Sequence, residues 1–241
     1  MTNAPLSPSP TSTADQRVDA ALSTLLVVQA LTLFVAIPLG AAHPAFRILL
    51  DAGHLIFASV CVTVLTRHRL VQGALLAALA LLAVGPVAGD AASARLGLDA
   101  AALHEGIACA AFAFNALVTA LVARHVFAPG RVTVHRVRGA ILLYLDVAAL
   151  FAIAYGVLET HAPGAIVATG GAVLAAPGAR NAALTYFSLS TLTTTGFGDL
   201  VPAHPLARSM ANFEGVFGQL FPATLLARLV ALQLAHGDEL P

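Results

Sequence analysis

Thr191-Leu192-Thr193-Thr194-Thr195-Gly196-Phe197-Gly198-Asp199 lies between a short apolar stretch, residues 181–192, and a long one, residues 207–234. Its two glycines are spaced by two, and glycine alone enters left-handed backbone conformations without steric cost. A nine-residue loop of this kind, wedged between apolar segments, has to be read in the light of what surrounds it. The chain has 241 residues, of which 59% are hydrophobic and 10% charged. That is too few charges to cover a water-soluble globule, so the sequence belongs in a bilayer.

A membrane-spanning helix needs about 20 apolar residues. Six stretches qualify: 20–41, 46–66, 71–89, 103–126, 139–158 and 207–234. A seventh, 181–192, is too short and is expected to be a re-entrant helix, whose end is tolerated at membrane depth only against protein or water. The expected fold class is an all-α membrane protein with six transmembrane helices, a short re-entrant helix and the glycine-bearing loop that follows it. Residues 1–19 form a Pro-, Ser- and Thr-rich tail expected to be disordered; its one Arg and two Asp are the wrong charge pattern for a secretory signal. Residues 20–126 make a four-helix transmembrane part, 127–138 a basic cytoplasmic linker, 139–237 a second membrane part that holds the fifth span, the re-entrant helix, the loop and the last span, and 238–241 a C-terminal tail.

All twelve basic residues are arginine, which allows a direct test of the positive-inside rule. With a cytoplasmic N-terminus, Arg17, Arg67, Arg69, Arg124, Arg131, Arg136, Arg138 and Arg228 lie on or near the inner face, against Arg47, Arg95, Arg180 and Arg208 outside. Both termini are therefore expected in the cytoplasm, with the 159–205 loop on the opposite side. The formal charge is zero, which argues against a nucleic-acid partner. No phosphate-cradling loop or nucleophile elbow gives enzyme chemistry a foothold, and no cofactor is expected. Cys61 and Cys109 fall within spans without a partner motif and are expected to pack.

The run 191–199, flanked by hydrophobic helices, resembles the selectivity filter of the bacterial potassium-channel family with a single pore loop. The resemblance covers about 139–234. It implies an outer helix, a pore helix, a filter and an inner helix, with backbone carbonyls replacing the hydration shell of potassium. Thr194, Thr195, Gly196, Phe197 and Gly198 would supply the carbonyl ladder, potassium at the filter being the only metal expected. Thr195 departs from the family's usual Val or Ile, and Phe197 from its commoner Tyr. The family places an aromatic cuff where Tyr186 and Phe187 stand, although both could instead anchor at the interface. Thr193 and Asp199 would support the filter. Since the chain has one such loop, three further copies of itself are required to surround an ion, giving a homotetramer in contact with membrane lipid.

Ungapped spacing from the filter puts Gly218 where the family's inner helices bend, with Pro222 one turn later; on the same alignment Gln219, Pro222 and Leu226 would face the pore. Residues 103–123 contain no arginine, so voltage sensing is not expected. Asp146 and Arg228 lie at similar depth and are expected to pair beside the gate, unless Arg228 snorkels to the headgroups. Glu214 would face either the cavity or the back of the pore helix. Asp51, His54, His104 and Glu105 are either hydrogen-bonded packing or a proton or metal sensor. The function implied is passive potassium transport across a bacterial inner membrane. A weakly selective cation channel, or a receptor or assembly subunit that does not conduct, remains the alternative.

Overall fold

Pro177 and Pro205 each open a helix, where the fixed φ of proline is preorganised and its missing N–H is not needed. The computed structural model of the chain describes residues 13–60, 73, 100–127, 134–169 and 177–237. These form α1 (Thr13–Leu31), a π-helical segment (Thr32–Ala36), α2 (Ile37–Ala42), a 3-10 turn (Pro44–Phe46), α3 (Arg47–Val60), α4 (Ala100–Val126) and α5 (Val134–His161). After α5 come β1 (Ile166–Ala168), α6 (Pro177–Leu192), β2 (Leu200–Pro202) and α7 (Pro205–Gly237).

The π segment has a local cause. Pro38 has no N–H to offer the preceding turn, and the wide turn is closed by the Ile37 N–H bonding to the Thr32 carbonyl. Thr32 also gives its hydroxyl to the Val28 carbonyl at 2.8 Å. α3 approaches this segment closely: a Cβ on Gly53 would lie 2.7 Å from Thr32 Oγ1. His43, preceding Pro44, is extended at φ −142° and ψ 127°, which ends α2.

α5 is the central element, with α1, α4 and α6 packed along it. Leu25, Val118, Val122, Ala140 and Leu142 form the buried centre of one cluster, which reaches Phe221 on α7. A second cluster gathers Tyr155, Leu158, Ile166, Leu184, Phe187 and Ala207 between α5, α6 and α7. The two strands pair antiparallel, Val167 opposite Val201, and tie the segment after α5 to the segment leaving the 191–199 loop. Glu159 secures that corner by accepting the Ile166 N–H at 2.6 Å and the Gly164 N–H at 3.1 Å.

Three helical stretches among the described residues are long and apolar enough to cross a membrane: Ala20–Ala42, Glu105–Arg124 and Arg136–His161. They correspond to the first, fourth and fifth expected spans. The third, 71–89, apart from residue 73, and residues 61–66 of the 46–66 span lie outside the described residues. The last, 207–234, falls in the continuous helix α7, whose apolar run is broken by Asn212, Glu214 and Gln219.

Several boundaries differ from expectation. Helix α1 starts at Thr13, inside the supposed 1–19 tail. Helix α5 starts at Val134, so the last five residues of the 127–138 linker are helical, and Arg138 bonds Ser23 Oγ at 2.8 Å. Residues 128–133 and 238–241 lie outside the described residues. The two-stranded pairing, whose strands are separated in sequence by α6 and the loop, is also an addition to the expected all-α class; it satisfies backbone groups of the two segments that flank that unit.

Candidate functional site

The last four carbonyls of a helix have no partner within it, and in α6 each of those four finds one nearby. The Leu189 carbonyl accepts the Thr193 N–H at 3.0 Å and its hydroxyl at 2.7 Å. The Ser190 carbonyl accepts the N–H groups of Thr195 and Gly196 at 2.8 and 3.1 Å, and that of Thr191 accepts the Thr194 N–H at 2.9 Å. The Leu192 carbonyl accepts the Tyr144 hydroxyl of α5 at 3.0 Å. The loop after α6 is therefore folded back with its amides against the helix end.

That folding sets where the loop carbonyls go. Thr194, Gly196 and Gly198 have φ values of 57°, 55° and 79°, whereas the residues between them do not enter the left-handed region. Alternation of left- and right-handed residues sends successive N–H groups to one side of the chain and carbonyls to the other. Among the described residues, no hydrogen bond is donated to the carbonyls of Thr194, Thr195, Gly196 or Phe197. Positive φ is a strained conformation for a β-branched residue, and Thr194 is held in it by Gln219 of α7, whose Nε2 donates to Thr194 Oγ1 at 2.7 Å.

Gly198 departs from the expected ladder. Its carbonyl accepts the hydroxyl of Thr169, while the Thr169 N–H donates to the Asp199 carbonyl at 2.7 Å. The strap from β1 thus turns the Gly198 oxygen aside, and the free run of carbonyls stops at Phe197.

The supports also separate. The Tyr186 ring stacks on Phe197 with centroids 5.6 Å apart and planes 11° from parallel, and its hydroxyl donates to Asp199 Oδ1 at 3.1 Å. Asp199 Oδ1 also accepts the Leu200 N–H at 3.0 Å. Phe187 does not join this cuff. It is buried, edge-on to Tyr155 at 5.1 Å, because adjacent residues of a helix face different directions. Thr193 lies with its hydroxyl 2.9 Å from that of Thr195.

Replacing Tyr186 by Phe keeps the stack and removes one exposed hydrogen bond, an effect of about 1 kcal/mol. We expect Tyr186→Phe to loosen the hold on Asp199 with little change in thermal stability, read as faster amide hydrogen exchange at Leu200, whose N–H shares Asp199 Oδ1, in the detergent-solubilised protein.

On α7, Gln219, Pro222 and Leu226 share one exposed face by their helical spacing. Gly218 points the other way, into the end of α6: a Cβ there would fall 1.8 Å from the Leu192 carbonyl oxygen. Glycine is therefore required at 218 by close approach. The helix is continuous through Pro222.

The expected Asp146–Arg228 pair does not form. Neither carboxylate oxygen of the buried Asp146 has a hydrogen-bond partner among the described residues. Arg228 instead donates to the Phe127 carbonyl at 3.2 Å and lies 5.4 Å from the centre of the Phe127 ring. Equal depth along two helices does not fix their facing angle, and the C-terminal end of α4, where the Phe127 N–H bonds the Ala123 carbonyl at 2.9 Å, brings Phe127 to Arg228 of α7.

Glu105 pairs with His161 of α5 at 3.2 Å, and no cluster of three or more potential metal ligands occurs among the described residues. The side chains of Asp51 and His104 lie outside the described residues. Cys109, expected to pack, is exposed on α4, and Cys61 lies outside the described residues. Three contributors escaped the sequence: Tyr144, Tyr155 and Ser188. Tyr144 and Tyr155 lie about three turns apart on one face of α5, and that spacing of two hydroxyls was the available signal.

An amide-anchored loop with unbonded carbonyls, bracketed by a short helix and a long one, is thus the unit built by 177–237. Residues 180–233 match the family model for an ion channel. No curated protein and no solved structure matches the chain. The matched channel segment runs from the first turn of α6 through the loop and β2 to near the end of α7. With the three long apolar helices, it supports a membrane-embedded protein with an ion-channel function.

Proposed function

We propose that the protein is a potassium-selective channel carrying potassium passively across a bacterial inner membrane through a pore formed by four copies. The observation that carries this reading is the run of carbonyls from Thr194 to Phe197, which accept no hydrogen bond among the described residues, in a loop whose φ is positive at every second residue from Thr194 and whose first amides, Thr193 to Gly196, are tied to α6. Such an array offers oxygen ligands in place of a cation's hydration shell. The C-terminal end of α6 adds the negative pole of its dipole close by.

One loop cannot enclose an ion, so the reading requires symmetric assembly about a common axis. Phe197 is 67% exposed, and Phe213, Val216, Leu220 and Leu226 on α7 are also exposed. This is apolar surface for neighbouring copies or lipid to cover. The protein is read as insensitive to voltage, with both termini in the cytoplasm, for want of an arginine series in 103–123 and from the arginine count.

The test is reconstitution in liposomes with potassium on one side and sodium on the other. A reversal potential near the potassium limit is expected. A value near zero would replace this reading by a weakly selective cation channel, traceable to Thr195 and Phe197. Absence of flux under every condition tried would favour a subunit that does not conduct.

A further inference from the structure

Glu214 of α7 is completely buried behind the loop, at the junction of α5, α6 and α7. Its Oε2 accepts the Tyr155 hydroxyl at 2.7 Å, and its Oε1 is in hydrogen-bond contact with Ser188 Oγ. Ser188 Oγ also lies 2.8 Å from the Ala148 carbonyl. These are three contacts served by two hydroxyl hydrogens. Ser188 has one hydrogen and two oxygens in reach, so a carboxylate at Glu214 would leave one contact as oxygen facing oxygen. A hydrogen on Oε1 completes the set: Tyr155 donates to Oε2, Oε1 donates to Ser188, and Ser188 donates to Ala148.

The surroundings agree. From α5 the titratable groups within electrostatic reach are Tyr155 and, farther along, Tyr144. From α6 the contact is Ser188, which does not titrate. The arginines of α7 are engaged elsewhere, Arg208 with the Pro202 carbonyl and Arg228 with the Phe127 carbonyl. No ion pair to Glu214 occurs among the described residues. An unpaired buried carboxylate is costly, whereas a neutral, fully hydrogen-bonded carboxyl is not.

We propose that Glu214 is held as an uncharged carboxylic acid and serves as a positioning residue for the filter, donating to Ser188 and so fixing α6 between α5 and α7. The consequence for the loop is direct. Ser188 is two residues before Ser190, whose carbonyl takes the Thr195 and Gly196 amides, and those bonds decide the direction of the loop carbonyls. This role at the filter rests on the potassium-channel reading; the protonation state does not.

Two measurements on the full chain in liposomes separate them. Difference infrared spectra should contain the carbonyl stretch of an un-ionised carboxyl that is lost in Glu214→Gln and kept in Asp146→Asn; no loss in Glu214→Gln overturns the proposal. Glutamine reproduces the neutral acid, with an oxygen for Tyr155 and an N–H for Ser188. Potassium over sodium selectivity in Glu214→Gln should stay within about twofold of the wild type, while Glu214→Asp, one methylene short, and Ser188→Ala lose on the order of tenfold. Glutamine as damaging as aspartate or alanine overturns the positioning role. Lack of potassium selectivity in the wild type itself counts against the channel reading and leaves the infrared result to decide the protonation.

Discussion

Gly196→Ala is expected to abolish selective potassium flux while leaving a folded, membrane-inserted protein. A Cβ built on Gly196 meets nothing within 4 Å, so bulk is not the obstacle. The obstacle is φ, which is 55° here. Left-handed backbone costs an L-residue about 1–2 kcal/mol, and in the proposed assembly of four copies the cost would be taken four times. The population of loops with all carbonyls aligned should then fall roughly a thousandfold or more. Relaxation to negative φ reverses the peptide, bringing an N–H where an oxygen belongs and breaking the bond to the Ser190 carbonyl.

Two controls isolate the cause. Gly106→Ala in α4 also meets nothing within 4 Å but sits in ordinary helix, where alanine is favoured, and should leave flux unchanged. A D-alanine at 196, introduced by semisynthesis, prefers positive φ and should restore conduction that L-alanine destroys. Flux by liposome assay and assembly by size exclusion give the readouts. Selective flux through the L-alanine protein would sink the carbonyl-array reading.

The loop was legible because its chemistry is local. Residues 191–199 adjoin one another, and the glycines that need positive φ are visible as letters. The starts of α6 and α7, at Pro177 and Pro205, fall before the apolar stretches 181–192 and 207–234, because proline opens a helix through its covalent geometry and not through its apolarity. What depends on rotation about a helix axis was not legible. Tyr186 and Phe187 are neighbours in sequence, yet one stacks on Phe197 and the other on Tyr155. Asp146 and Arg228 share a depth but not a facing direction, so counting residues into each span could not pair them. The Gly198 carbonyl was misassigned for a different reason: its partner, Thr169, lies 29 residues earlier in a strap with no helical or filter signal. Glu214 was readable as out of place in an apolar helix. Its partners were not, being single hydroxyls on two other helices.

Gly218→Ala is expected to lower the melting temperature of the detergent-solubilised protein by about 5 °C or more, on an overpacking cost of about 1–3 kcal/mol per chain. The clash is with backbone: the added Cβ would fall 1.8 Å from the Leu192 carbonyl oxygen, 2.7 Å from its carbon and 3.2 Å from its Cα. A side chain could rotate aside; the end of α6 cannot move without losing the Tyr144 bond to the same carbonyl. Relief therefore requires α7 to separate from α6, which also pulls Gln219 from Thr194. Selectivity should fall together with stability. Gly215→Ala is the matched control, one turn away, where a Cβ would make ordinary contact with the Thr191 carbonyl at 3.9 Å. Alanine there should be tolerated and favour the helix by up to about 1 kcal/mol. The same pair distinguishes close packing from a hinge. If glycine at 218 served only to let α7 bend, alanine would stiffen the helix, raise the melting temperature and change the open probability with selectivity intact. A Gly218→Ala protein that melts at or above the wild type would therefore return the hinge to consideration and remove the contact with Leu192 as the reason for this glycine.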